Sequence, residues 1–207
     1  MSEDRKDARR RQILDAALQA FSENGFDRTS MEDVRVASGL SKGTLYLYFN
    51  NKEALFAGLA QDLLSELIGE KLAALIADVE RPAVERVREI IGSALNVTLD
   101  KADYMGLYMD FFARSWQHPL IRETLSSEYS RYIDLLADLL QQGIDRGELH
   151  PMDTRVTARL LAATLDGLGL QVIVLPDLAA EQVVDRLLAV LLADLKAGAA
   201  GDLSPPR

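Results

Sequence analysis

The sequence predicts an all-α chain: a three-helix head containing a helix-turn-helix, followed by a C-terminal helical bundle, with about nine helices in total. Three observations predict it. Apolar residues recur at three- and four-residue spacing along almost the whole chain, which lines one face of a helix. No stretch shows the every-second-residue alternation of a half-buried strand. Glycines, prolines and capping side chains fall between the periodic runs, where helices start and stop.

The first helix is expected over residues 7–24, with Ile13, Leu14, Ala17, Leu18 and Phe21 on one stripe and Gly25 as its end. In Thr29-Ser30-Met31-Glu32 a hydroxyl precedes a carboxylate by three residues, the pattern of a capping box, and Thr29 is taken as the cap of a second helix closing at Gly39. Ser41 then caps a third, short helix, with Leu40 and Leu45 in the two positions of a hydrophobic staple. Asn50-Asn51 breaks it, and a long helix follows over 52–79, its stripe including Leu55, Phe56, Leu59, Leu63, Leu67 and Leu75. Pro82, Pro119 and Pro151 mark further starts, giving helices at 82–100, 103–115, 119–146 and 153–174. A ninth helix is expected over 178–197 with Asp177 as cap. The expected division is a head at 1–52, a body at 53–197 and a flexible tail at 198–207.

Composition excludes several function classes. Of 207 residues, 48% are apolar, so a substantial core is available. There is no cysteine, which removes disulfides, thiolate metal sites and cysteine nucleophiles. His118 and His150 lie near no carboxylate pair at ligand spacing, so neither a metal nor any other cofactor is expected. No run reaches the roughly 18 apolar residues of a membrane span; the nearest, 160–174, is broken by Asp166. The N-terminus, MSEDRKDARRRQ, is charged without an apolar segment behind it, and the expectation is a cytoplasmic protein with no membrane partner.

The net charge of −9 is unevenly spread. Residues 1–52 hold nine Lys/Arg and eight Asp/Glu, a net of +1, while the rest carries −10. A near-neutral head on an acidic body points to a division of labour in which only the head tolerates a polyanion.

The run SKGTLYLYF carries the chemistry. At about 100° per residue, if Leu45 and Phe49 point into the core, Gly43 and Leu47 point away from it, with Thr44 beside them and Tyr46 and Tyr48 on opposite flanks. Lys42 sits at the tip. Such a face fits a major groove: a first-turn lysine reaches guanine O6/N7, and threonine and leucine touch a thymine methyl. Glycine permits close approach. Tyr48, the hydroxyls of Thr29 and Ser41, and Lys52 are expected on phosphates. Tyr46 is expected to pack in the core. The cluster Arg5, Lys6, Arg9, Arg10 and Arg11 is read as a solvated helix start in preference to a minor-groove arm.

The run ILDAALQAFSENGFDRTSMEDV…SGLSKGTLYLYFNNKEALF resembles the N-terminal domain of TetR-type bacterial transcriptional regulators. Phe21, Gly25, Thr29, Gly39, Ser41, Gly43, Tyr46, Tyr48, Phe49, Lys52 and Leu55 fall in register, and HPLIRETL, GIDRGEL and LLAATLDGLGL match more loosely. The resemblance implies a homodimer on a palindromic operator of double-stranded DNA, usually a repressor, with a small-molecule pocket in the body. It assigns Lys42, Gly43, Thr44 and Leu47 to bases and Thr29, Ser41, Tyr48 and Lys52 to phosphates. One position departs: four residues before the turn glycine the family carries a small alanine, and here stands Arg35. Either its stem lies along the surface with the charge in solvent, or the two helices cross further apart.

In the body, the ninth helix is apolar on more than one side and the eighth contains Gly167 and Gly169. Gly167, Gly169, Val184, Leu187, Leu188 and Leu191 are therefore the candidate dimer interface. The sixth helix carries Tyr104, Met105, Tyr108, Met109, Phe112 and Trp116, the densest aromatic and methionine patch of the chain. With Leu165, Asp166 and Leu170 of the eighth helix it is the candidate pocket for a mostly apolar effector. No paired-carboxylate, nucleophile–base or glycine-rich phosphate signature occurs, so no enzymatic activity is expected. The competing expectation is an all-helical small-molecule carrier whose helix-turn-helix is purely structural.

Overall fold

The structure, a computed structural model, describes the backbone of residues 3–100 and 102–175 with scattered positions to 189, and side chains within 4–65, 72–94, 106–171 and 174–175. Among these residues the regular elements are α1 (Glu3–Arg28), α2 (Met31–Ser38), α3 (Lys42–Tyr48), α4 (Lys52–Ala77), α5 (Ala83–Asp100), α6 (Ala102–Ser115), α7 (Pro119–Asp145) and α8 (Thr154–Val174). From α2 onward the ends fall within two residues of those expected, because Gly, Pro and capping side chains fix them. α1 starts earlier, since its charged lead continues the helix on an exposed face. The expected ninth helix and the tail fall almost entirely outside the described residues.

The chain divides into two compact units, Met1–Gly69 with Asp100–Arg131, and Glu70–Leu99 with Tyr132–Arg207. α4 begins in the first and ends in the second.

The first unit is built on an aromatic chain. The Phe56 ring stands 4.9 Å from Phe21, 4.7 Å from Phe26 and 4.5 Å from Phe111, joining α1, α4 and α6. Each such buried ring contributes roughly 1.5–3 kcal/mol from desolvation alone. Around it pack Ile13, Leu14 and Ala17 of α1, Val34 of α2, Leu45 of α3 and Leu55, Leu59 and Ala60 of α4. Gly58 makes room for the Phe49 ring: a Cβ there would lie 2.6 Å from it.

The second unit holds a fully buried arginine. Arg86 donates through Nη1 to Leu75 O (3.2 Å), Ile76 O (3.1 Å) and Gln142 Oε1 (2.8 Å). It thereby caps the C-terminal carbonyls of α4 from α5 and ties them to α7. Burial lowers its pKa from the ordinary value, with Arg146 adding to the effect. α7 and the segment after it close tightly at Gly143, where a Cβ would lie 2.7 Å from Ala83 Cβ and Leu149 Cδ1. Asp153 caps α8 by accepting from the backbone of Arg155 and Val156. Burial pushes the Tyr132 hydroxyl far above its usual range, with Asp166 adding to the rise.

A candidate nucleic-acid interface

α2 and α3 are set by local hydrogen bonds. Ser30, not Thr29, caps α2: its hydroxyl accepts from Asp33 N, while the Asp33 carboxylate accepts from Ser30 N at 2.8 Å. The capping box is therefore present one residue later than expected, Ser30–Asp33 in place of Thr29–Glu32. Those hydrogen bonds hold the Asp33 carboxyl below the ordinary range. Gly39 ends α2 in the left-handed region (φ 67°), which a side chain would strain. Ser41 caps α3 by accepting from Thr44 N (3.1 Å), and its hydroxyl meets that of Thr44 at 2.8 Å. Leu40 and Leu45, the staple pair, are both buried.

These constraints present one face of α3 to solvent. Lys42, Gly43 and Leu47 are exposed, Thr44 is half-buried, and Leu47 has 74% of its surface free. Of the four base-facing candidates three are thus exposed and one is half-buried, and Ser41 before them is exposed. Tyr46, expected in the core, is instead exposed, with Lys42 Nζ 5.8 Å from its ring centre. Tyr48 is the inward one: it packs against the core and its hydroxyl is buried without a protein partner.

Of two further phosphate candidates, Thr29 needs correction and Lys52 has partners within the chain. Thr29 is 2% exposed, and its Oγ1 lies within hydrogen-bond reach of Ala20 O (3.0 Å) and Gly25 O (2.8 Å). Its hydroxyl braces the end of α1 and is turned away from the surface. Lys52 Nζ donates to Phe26 O (2.8 Å) and Asp27 O (3.4 Å) and lies 4.4 Å from the Phe26 ring centre. It is engaged in holding the α1–α2 connection.

Arg35 resolves the departure from the family pattern. Its guanidinium folds back onto Glu32 at 2.7 Å, and Nη1 reaches Leu40 O at 3.5 Å. The charge stays at the surface along α2. That ion pair lowers the Glu32 pKa and raises that of Arg35.

Sequence reading missed one cluster altogether. Arg114 of α6 grips the Asp27 carboxylate with both terminal nitrogens (2.9 and 2.6 Å), while its Nε donates to Asp110 (3.2 Å). Asp110 in turn accepts from Phe26 N (3.3 Å). The hydrogen bond and charge of Arg114 hold the Asp27 carboxyl below its ordinary range.

The candidate pocket residues belong to two compact units, each described by itself. Tyr108 and Phe112 form an aromatic group with Tyr129 of α7, Phe112 standing 5.0 Å from Tyr108 and 5.7 Å from Tyr129. The Tyr108 and Tyr129 hydroxyls share a hydrogen bond, and Met109 is half-buried beside Tyr108 in sequence. Trp116 does not belong: it follows the end of α6 at Ser115 and is 86% exposed. The side chains of Tyr104 and Met105 lie outside the described residues. Leu165 and Asp166, in the second unit, are half-buried.

Leu170 is exposed and joins a different feature. Val156, Leu160, Ala163, Gly167, Leu170 and Val174 recur at four- and three-residue steps on the outward side of α8. Of the candidate interface glycines, Gly167 is half-buried and Gly169 is buried in the single chain. Val184, Leu187, Leu188 and Leu191 lie outside the described residues. Among the described residues no helix is long and apolar enough to cross a membrane.

Residues 13–59 match the family described as bacterial regulatory proteins, tetR family. Residues 83–196 match the C-terminal region of BetI-type transcriptional repressors. The HTH-type transcriptional regulator YfiR of Bacillus subtilis is 30% identical over 159 residues, covering 76% of each chain. The Bacillus subtilis regulator FadR, solved with stearoyl-CoA, superposes with a TM-score of 0.75 at 22% identity, over 88% of this chain and 97% of that one. SmeT, solved with triclosan, gives 0.76 at 25% identity, over 97% and 98%. The chain is a DNA-binding transcriptional regulator and belongs to the tetR family of bacterial regulatory proteins.

Proposed function

We propose that the chain is a cytoplasmic homodimeric repressor that reads a palindromic operator with α3 and is released from it by a mostly apolar small molecule. The observation that carries the reading is the outward face of α3. It exposes Lys42, Gly43 and Leu47 on a helix whose caps and buried Leu45 fix its orientation. Lys42 is assigned to a guanine edge and Thr44 and Leu47 to thymine methyls, with Ser41 at a phosphate. Functionally the chain divides into a reading head at 1–52, an effector-binding and dimerisation body at 53–197 and a tail at 198–207.

The apolar stripe of α8 supports the dimer. Five exposed small or apolar positions and the half-buried Gly167, spaced by alternating steps of four and three residues, fit a helix-packing seam against a second copy. Two heads would then meet successive major grooves about 34–36 Å apart. The Tyr108–Phe112–Tyr129 group supports an apolar effector, in keeping with the acyl-CoA and triclosan held by FadR and SmeT. Selection from a random duplex pool with purified protein tests the reading. Enrichment of inverted repeats with half-sites about one helical turn apart is expected. Enrichment of nothing over the starting pool would refute it.

A further inference from the structure

The buried Arg86 of the second unit is hydrogen-bonded on one side only. All of its bonds leave from Nη1, to Leu75 O, Ile76 O and Gln142 Oε1, and each of these acceptors is neutral. Nε and Nη2 are buried as well and, among the described residues, have no hydrogen-bond partner. These two nitrogens share one edge of the planar guanidinium, an edge that can hold an anion through two N–H bonds.

The neighbouring carboxylates do not supply that anion. Glu148 pairs with Arg146 at 2.8 Å and accepts from Ala83 N. Arg81 holds Glu89 at 2.9 Å and Asp78 at 3.8 Å. Asp78 and Glu148 act on Arg86 through space alone, and the charges of Arg146 and Arg81 oppose them. A lysine in this position could give up its proton, whereas an arginine stays charged. Water would satisfy the two N–H groups and leave the buried charge without a contacting counter-charge.

The surroundings are tight. Ala83 and Val87, within one turn of Arg86, are buried, and at Gly143, next to Gln142, a Cβ would lie 2.7 Å from Ala83 Cβ. Such packing favours a single-atom anion over a carboxylate or a phosphate. The charge is nevertheless close to the surface: Arg146, which acts on it, is exposed and bonds the α4–α5 connection at Val79 O. An ion enters by displacing a surface side chain.

We propose that the Nε–Nη2 edge of Arg86 is a binding site for a small monovalent anion, with chloride as the ligand. The ion is a structural counter-charge where the end of α4, the start of α5 and the last turn of α7 meet. This site is separate from the operator-reading face and from the proposed effector group, and it stands whether or not those readings hold.

Thermal melts of the full chain at constant ionic strength test it, with sodium chloride replacing sodium gluconate, whose anion is too large for the site. The wild-type midpoint should rise by about 2–4 °C once chloride exceeds its dissociation constant several-fold. Arg86→Met keeps a long apolar stem and removes the donor edge. Its midpoint should lie lower and should not respond to chloride. A wild type indifferent to chloride would mean water alone at Arg86 and would overturn the proposal. Equal responses of wild type and Arg86→Met would do the same, as the mark of an adventitious ion only. Should Arg86→Met fail to fold, wild-type crystals grown in bromide decide the matter. An anomalous peak within hydrogen-bond reach of both Nε and Nη2 supports the site, and no peak there overturns it.

Discussion

Among the surfaces on which the described residues leave apolar side chains in water, those of α3 and α8 differ in pattern. On α3, Leu47 stands alone among a lysine, a glycine, hydroxyls and a tyrosine. On α8, Val156, Leu160, Leu170 and Val174 form a continuous row, with Ala163 and Gly167 completing it. The first pattern matches a partner that offers separate methyl groups between polar edges and charged phosphates. The second matches a partner helix, where neighbouring side chains interdigitate and water is excluded along a line. Isolated exposed apolar residues carry little meaning by themselves. The periodic row on α8 and the capped rigidity beneath Leu47 give these their significance.

The largest effect is expected at the centre of the row. Leu160→Glu places a charge in the proposed seam and should leave the chain monomeric in sedimentation. Operator affinity should then fall at least about a hundred-fold, because the second head no longer binds at raised effective concentration. A dimer that survives this change would remove α8 from the interface.

On the other surface the effects should be smaller and specific to sequence. Lys42→Ala should cost about 1–3 kcal/mol at one base position and relax preference there. Leu47→Ala should cost less, about the value of one or two buried methylenes near 0.8 kcal/mol each, and only on sites with thymine beneath it. Competition binding with single-base variants of the operator measures both.

Thr29→Val acts from beneath the α3 surface. The buried hydroxyl braces two carbonyls, so melting stability should drop by about 1 kcal/mol. Operator affinity of the folded variant should stay that of wild type, whereas loss of a hydroxyl–phosphate contact would lower it on every sequence alike. Smallest of all is Arg35→Ala, expected within roughly 0.5 kcal/mol of wild type by thermal melt, since its charge lies along the surface.

Acid should act on the head. Asp27, Glu32 and Asp33 all have folded pKa values below their ordinary ones, through Arg114, Arg35 and Ser30 respectively. Their contribution is present above the unfolded values near 4 and is lost as pH falls through the lowered folded values. Circular dichroism should show melting temperature insensitive to pH above about 5 and dropping below about 4.

How much was legible follows from the range of each interaction. Helix ends from α2 onward were readable because caps, glycines and prolines act within a few residues. The outward face of α3 was readable because helical angle alone sets it. Tyr46 and Tyr48 were not separable that way: each lies about 80° from the direction of Leu45 and Phe49, so the packing of other helices decides which turns inward. Thr29 was misassigned, and the partners of Lys52 within the chain were missed, because Ala20 O and Phe26 O come from earlier turns of the fold. The Arg114–Asp27 contact joins residues 87 positions apart and has no local signal. Trp116 misled because helical extrapolation was carried past Ser115, where the helix has already ended.

The central claim is that Leu47 and its neighbours face bases, and that a paired molecule presents them twice. The chain has no cysteine, so Leu47→Cys supplies a unique thiol for a photoactivatable cross-linker. On a selected operator, cross-links should map to major-groove base positions in both half-sites, about 10–10.5 base pairs apart. Cross-links confined to protein, or to a single half-site at saturating protein, would contradict it.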